Sequence, residues 1–221
     1  MKYQHRNLDG TLINLPLGKV VCVGRNYAEH ARELNNTVPQ EPLLFIKTSS
    51  CVASLLPSFS IPKQWGAVHY EAEIALLLGS SLSGEISVIE ARKAIIGLAP
   101  ALDLTLRDVQ STLKAKGHPW EKAKSFDGAC VLPAFALIDT ALDLNALEIR
   151  FSLNKQLRQS ECSSAMLTLI VPLLQYMAGY FSLQAGDVIL TGTPAGVGAL
   201  ASGDRVDLEL VGVSQFSSLV I

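Results

Sequence analysis

The sequence predicts a strand-dominated α+β fold, and three observations point there. Apolar runs are short and bounded by Gly-, Pro- and Ser-containing turns, as strands are. Helical spacing is confined to a few segments that do not alternate regularly with the strand signals, which argues for mixed sheets over a doubly wound one. The 221 residues are 49% hydrophobic and only 17% charged, a core-rich composition for a single domain.

In chain order, residues 1–17 read as a leader hairpin turning at "LDGTL", and residues 18–221 as the main domain. "KVVCVG" is a buried-strand run ending at a glycine. "RNYAEHAREL" reads as a short helix with Asn26 as N-cap and Glu29 completing a capping box, ended by Asn35, Asn36 and Pro39. "PLLFIK" and "EAEIALLLG" follow as strands. "EISVIEARKAIIGLAPAL" is helical in its first half and then becomes an apolar run ending at Asp103. "LEIRFSLN", "GDVILTG" and "RVDLELVG" read as strands, and "SAMLTLIVPLLQYMAGYF" as the main helix of the second half.

Net charge is −2, and Lys and Arg are scattered, so the basic stripe of a nucleic-acid binder is missing. The opening "MKYQHRNLDG" is polar where a secretory signal needs an apolar stretch. "LTLIVPLLQYMAGYF" is interrupted by Pro172, Gln175 and Gly179 and falls short of the roughly 20 apolar residues that span a bilayer. No membrane partner is expected. Cys22, Cys51, Cys130 and Cys162 are widely spaced, which reads as free thiols in a reducing cytoplasm.

Glu71 and Glu73 stand two apart in "VHYEAEIALLLG". On a strand they share a face roughly 6.5–7 Å apart, an arrangement that costs free energy beside an apolar core unless something compensates the charge. A hard divalent cation, Mg²⁺ or Mn²⁺, suits oxygen ligands of this kind. An edge strand with both glutamates in water is the competing reading. Asp103 supplies a third acid at the end of an apolar run, and spacing alone leaves open whether it meets the other two. His30 and Glu33, three apart on a helical turn, form either a proton-handling pair or an ordinary surface pair. "TGTPAGVG" lacks the Gly-Lys-Ser/Thr ending of a phosphate loop. His69 reads as a packing residue near the acidic pair and Trp120 as a packing anchor, while His5 and His118 show no partner pattern.

Six stretches in order, "GRNYAEHAREL", "EPLLFIK", "HYEAEIALLLG", "ALDLTLRDVQ", "PWEKAKSFD" and "GDVILTGTPAGVG", resemble the fumarylacetoacetate hydrolase family over most of the chain. The resemblance implies a roll of mixed β-sheets, a homodimer and a Mg²⁺ or Mn²⁺ site in a catalytic domain. It implies Glu71, Glu73 and Asp103 as metal ligands, and His30, Glu33 and Lys124 as catalytic residues. Arg107, Gln110, Thr193 and Lys47 fall on positions that contact substrate. Three positions depart from the pattern: Pro100 within the strand run, Ala165 where an acid is frequent, and Asn35 where glycine is common.

The implied reaction is hydrolysis of a carbon–carbon bond in an acylpyruvate-type 3,5-dioxo acid, the substrate being a small anionic 2-oxo acid. The alternatives are oxaloacetate decarboxylation or isomerisation of a 2-oxo-diacid, which use the same enolate chemistry without attacking water. A non-enzymatic, metal-stabilised binding module is the third reading.

Overall fold

A computed structural model describes residues 3–221; Met1 and Lys2 of the expected leader lie outside them. Strand β1 (Val20–Gly24) leads into helix α1 (Ala28–Glu33) and returns as β2 (Leu43–Lys47). Short strands β3 (Val52–Ser54) and β4 (Ser58–Phe59) precede β5 (Val68–Tyr70) and β6 (Ala72–Leu78). Helix α2 (Val88–Ala94) runs straight into β7 (Ile95–Asp103), then β8 (Thr105–Leu106), α3 (Arg107–Ala115) and α4 (Glu121–Lys124). Next come β9 (Cys130–Leu132), β10 (Ala136–Leu137), β11 (Glu148–Leu153) and β12 (Gln156–Cys162). Helix α5 (Ile170–Tyr180) and strands β13 (Val188–Leu190), β14 (Gly198–Ala199), β15 (Arg205–Leu210) and β16 (Ser214–Val220) complete the chain.

The strands form three mixed sheets. The largest has eight strands in the order β2-β1-β13-β6-β7-β9-β3, with β10 also on β7. A five-stranded sheet, β12-β11-β15-β16-β4, lies across its central strands, and β14-β5-β8 make a third. Every residue of β6 is buried, because neighbours flank it on both edges and the second sheet covers a face. The expected roll of mixed sheets is the observed architecture.

Three local expectations are corrected. The run "VHYEAEIALLLG" is two strands, and Glu71 is the single residue between them. Val68 pairs with Leu106 in the small sheet, whereas Ala72 pairs with Leu102 in the large one, so the chain changes sheets at Glu71. Asn26 is not the N-cap; Tyr27 holds that position without a side-chain bond, and Asn26 is occupied elsewhere. The helix expected from Ser164 begins only at Ile170, with Pro172 in its first turn, where a missing N–H leaves no bond unmade.

Pro100 sits in an interior strand. The carbonyl of its partner Ile74 accepts from Thr191, so Ile74 and Pro100 exchange no bond. On its other side, β9 pairs only from Leu102 and β10 only up to Leu98, so the proline faces the gap between them. Asn35 takes the left-handed conformation at φ 52°, which asparagine tolerates better than most residues. Ala165 is exposed on a single turn, and nothing in the structure explains its departure from the family pattern.

The leader folds back at an Arg6–Leu12 bridge and joins the body through a parallel bridge from Asn7 to Phe135. Among the described residues, no helix is long and apolar enough to cross a membrane.

Candidate active site

Register brings the three acids together. Ala72 lies opposite Leu102 on antiparallel β6 and β7, so Glu71 lies opposite Asp103, whose N–H donates to the Glu71 carbonyl at 2.8 Å. Glu73 is two residues on, hence on the same face. One carboxylate oxygen from each lies within 4.8 Å of the others, and all three residues are buried.

Of the cations around them, Lys124 is equally buried and Arg107 is partly exposed. Lys124, on the short helix α4, donates to Glu71 Oε2 at 2.7 Å, Asp103 Oδ2 at 2.8 Å and the Thr105 hydroxyl at 2.7 Å. Arg107 donates to Glu71 Oε1 at 2.5 Å and to Gln110 Oε1 at 2.8 Å. Burial alone would raise Glu71, but Lys124 and Arg107 outweigh it and hold this carboxyl far below the usual range. Glu73 lacks such partners: burial, then the nearby Asp103 and Glu71, push it well above its ordinary value. The N–H of Gly192 donates to Glu73 Oε2 at 2.6 Å. Gly192 has φ 94°, and a Cβ there would come within 2.7 Å of Asn26 Cβ, so this donor requires glycine.

These residues fit a hard divalent cation. The donor set is all carboxylate, and Asp103 Oδ1 is a buried oxygen without a hydrogen bond, facing only the Lys47 ammonium at 2.8 Å. Lys124 already sits as a cation between two of the three acids.

His30 projects from α1 into the same cleft, which Glu71, Glu73, Gln110, Lys124 and Thr193 also line. Burial lowers the His30 pKa, Arg107 adding to the effect while Glu71 and Glu33 oppose it. Its Nδ1 is 3.5 Å from Glu33 Oε2, and Glu33 is in turn held by the Gly196 N–H at 3.1 and 3.2 Å. Thr193 accepts from Gln159 Nε2 at 2.8 Å.

Lys47 is fully buried and lies behind the cleft rather than in its lining. Its ammonium donates to the carbonyls of Leu104, Lys124 and Ala129 and supports Asp103 from behind. His69 is half-buried and outside the cleft, whereas Trp120 forms part of its wall beside Phe45.

Four contributors were not singled out in the sequence. Gln159 bonds Thr193, the Pro194 carbonyl and the Ala72 N–H from a strand that reads as polar and exposed. Thr105 receives Lys124. Lys114 and Arg25 add two cations to the lining. Lys114 alone was detectable, at helical spacing from Arg107 and Gln110 on "RDVQSTLKA".

Residues 19–221 match the family model described as "Fumarylacetoacetate (FAA) hydrolase C-terminal". The chain belongs to the fumarylacetoacetate hydrolase family. Among the family's curated members, it is 46% identical to Oxaloacetate tautomerase YcgM of Escherichia coli (strain K12), covering 96% of this chain and 97% of that one. A crystal structure of a fumarylacetoacetate hydrolase family protein from Yersinia pestis CO92 superposes with a TM-score of 0.95 at 43% identity, over 99% of this chain and 100% of that one. Fumarylpyruvate hydrolase from Pseudomonas aeruginosa, solved with Mn²⁺ and pyruvate, gives a TM-score of 0.92 at 29% identity, over 100% and 96% of the two chains.

Proposed function

We propose that this chain is a metal-dependent enzyme interconverting the keto and enol forms of oxaloacetate or a close 2-oxo dicarboxylate. The observation that carries the reading is a buried His30 in one cleft with Glu71 and Glu73, two members of the three-carboxylate cluster. The 46% identity to an oxaloacetate tautomerase supports this reaction ahead of acylpyruvate hydrolysis, whose named relative stands at 29%.

A Mg²⁺ or Mn²⁺ ion held by Glu71, Glu73 and Asp103 would supply Lewis acidity at the 2-oxo and adjacent carboxylate oxygens of the substrate. Lys124 and Arg107 add positive charge for that carboxylate, and Gln110 and Thr193 offer polar contacts. His30 removes a proton from C3, and the C–H electron pair becomes the C2–C3 double bond as the C2 oxygen takes the charge. Glu33 stabilises the imidazolium, which returns the proton to the C2 oxygen. The enol that leaves has the composition of the ketone that entered.

Hydrolysis is the second reading, favoured by the His30–Glu33 pair, which serves equally to take a proton from water. A homodimer as working unit, a leader of residues 1–17, a catalytic domain of residues 18–221 and a cytoplasmic location complete the proposal. Buried free thiols at Cys22, Cys51 and Cys130 support the last.

The test follows the ultraviolet enol band of oxaloacetate over the buffer rate, with protein before and after chelation and Mg²⁺ readdition. Acceleration is expected only with metal, and His30→Ala should lower it about 100-fold or more. Acceleration that survives chelation or this substitution would overturn the assignment. Release of pyruvate and acetate from acetylpyruvate, without effect on oxaloacetate, would install hydrolysis instead.

A further inference from the structure

Helix α3 carries Arg107, Gln110 and Lys114 at i, i+3 and i+7, and all three line the cleft. They form one face, with Arg107 and Lys114 about 10 Å apart along the axis at 1.5 Å per residue. The two ends of this face differ. Arg107 is engaged with Glu71 at the floor. Lys114, toward the mouth, is half-buried with its ammonium 5.3 Å from the centre of the Trp120 ring, and no described carboxylate is within ion-pair distance of it.

Arg25, just after β1, lines the same cleft. Its Nε is buried without a hydrogen-bond partner, and its only hydrogen bond among the described residues is a 3.5 Å contact from Nη1 to the Thr37 carbonyl. Its backbone is held at φ 59°, the left-handed region that non-glycine residues rarely adopt, and such conformations concentrate at ligand-binding positions. Burial, then the like charges of Arg25 and Arg107, bring Lys114 down to about 8. Two cations thus converge on one opening with no anion between them.

We propose that Lys114 and Arg25 form an anion subsite at the cleft mouth that takes the distal carboxylate of a dicarboxylic 2-oxo acid. This rests on the reading of the floor as the place of the 2-oxo carboxylate end. With that end at the floor, the second carboxylate of a short diacid extends along the α3 face toward Lys114. A monocarboxylic 2-oxo acid leaves both cations without a partner, so the pair discriminates between the two classes by charge rather than by size. Lys114 and Arg25 are specificity residues here; proton transfer stays with His30.

The test uses calorimetric binding to Mg²⁺-loaded protein of (S)-malate and (S)-lactate. These share a 2-hydroxy acid end, and malate adds the distal carboxylate. Malate should bind at least about tenfold more tightly, the size of a charge-assisted contact. Lys114→Met and Arg25→Met should each remove most of that preference, lowering malate affinity far more than lactate affinity, and Lys114→Arg should retain it. Equal binding by wild-type protein, or a preference unchanged in both methionine variants, would overturn the subsite. Because neither probe reacts, a malate preference in a protein inactive on oxaloacetate would sink the proposed reaction and leave the subsite standing. Activity on oxaloacetate with no malate preference would do the reverse.

Discussion

Lys47 carries a charge that no water reaches. Three carbonyls saturate its hydrogen-bond donors, and Asp103 is its counter-ion, so the lysine fixes the position of a proposed metal ligand without facing the cleft. Lys47→Met would leave the Asp103 carboxylate with Lys124 alone and strand three carbonyls. A loss of about 3–5 kcal/mol in urea unfolding is expected, as for breaking a buried ion pair. A loss below about 1 kcal/mol, the range of an exposed pair, would mean that the charge is compensated elsewhere. At this scale the sequence was most informative where residues of the candidate site cluster in short motifs: Glu71 with Glu73, His30 with Glu33, Arg107 with Gln110. Gln159 and Arg25 were invisible because their meaning comes from partners far away in the chain. Gln159 reaches Ala72 across 87 positions, and no local pattern encodes that.

Helix α1 shows how an element can depend on its surroundings. Six residues are too few to hold a helix alone in water. This one is fastened at its start by the Tyr27–Met166 bridge and at its end by Glu33 on the Gly196 N–H. Asn26 lends its side chain to the carbonyls of Thr168 and Thr191 and the N–H of Thr168, which is why the capping reading failed: the best capping residue was needed for a tertiary contact. The leader is held in a comparable way. Tyr3 donates to the Pro133 carbonyl, and His5 sits edge-on between Tyr3 and Phe135 with Nε2 3.0 Å from the Gly186 carbonyl. Burial lowers His5 below its ordinary 6.5, with the Gly186 and Pro16 carbonyls opposing. The unfolded chain therefore takes up a proton more readily than the folded one, and stability is lost as pH falls below 6.5 while being retained above it. Thermal unfolding across that range should show this slope, flattened in His5→Gln. An equal slope in the variant would place the acid sensitivity elsewhere.

For the molecule as a whole, strand identity was legible and strand partnership was not. The apolar runs marked most of the long strands, but which strands share a sheet depends on pairings between residues far apart, such as Val20 with Val188. The convergence of Asp103 with the two glutamates belongs to the same class: it follows from the β6–β7 register and not from spacing. Since the acids are gathered only in the folded chain, a divalent ion should stabilise the whole fold. At 100 times its dissociation constant the gain is about 2.7 kcal/mol. Calorimetry should show the melting temperature rise with Mg²⁺ in wild-type protein and not in Asp103→Asn; a rise in neither would remove the metal from the site.

Glu71 stands alone between β5 and β6, where the chain passes from one sheet to another. A residue inserted or deleted there would turn the side chains on one flank to the opposite face of their sheet, because strand sides alternate. Residues 68–78 can therefore diverge only by replacement, never by change of length. Residues 34–42, which contribute Leu34 and Asn36 to the rim, are under no such restriction. Lineages that adapt this scaffold to larger or smaller substrates are expected to do so by lengthening and shortening the rim above an unvarying floor.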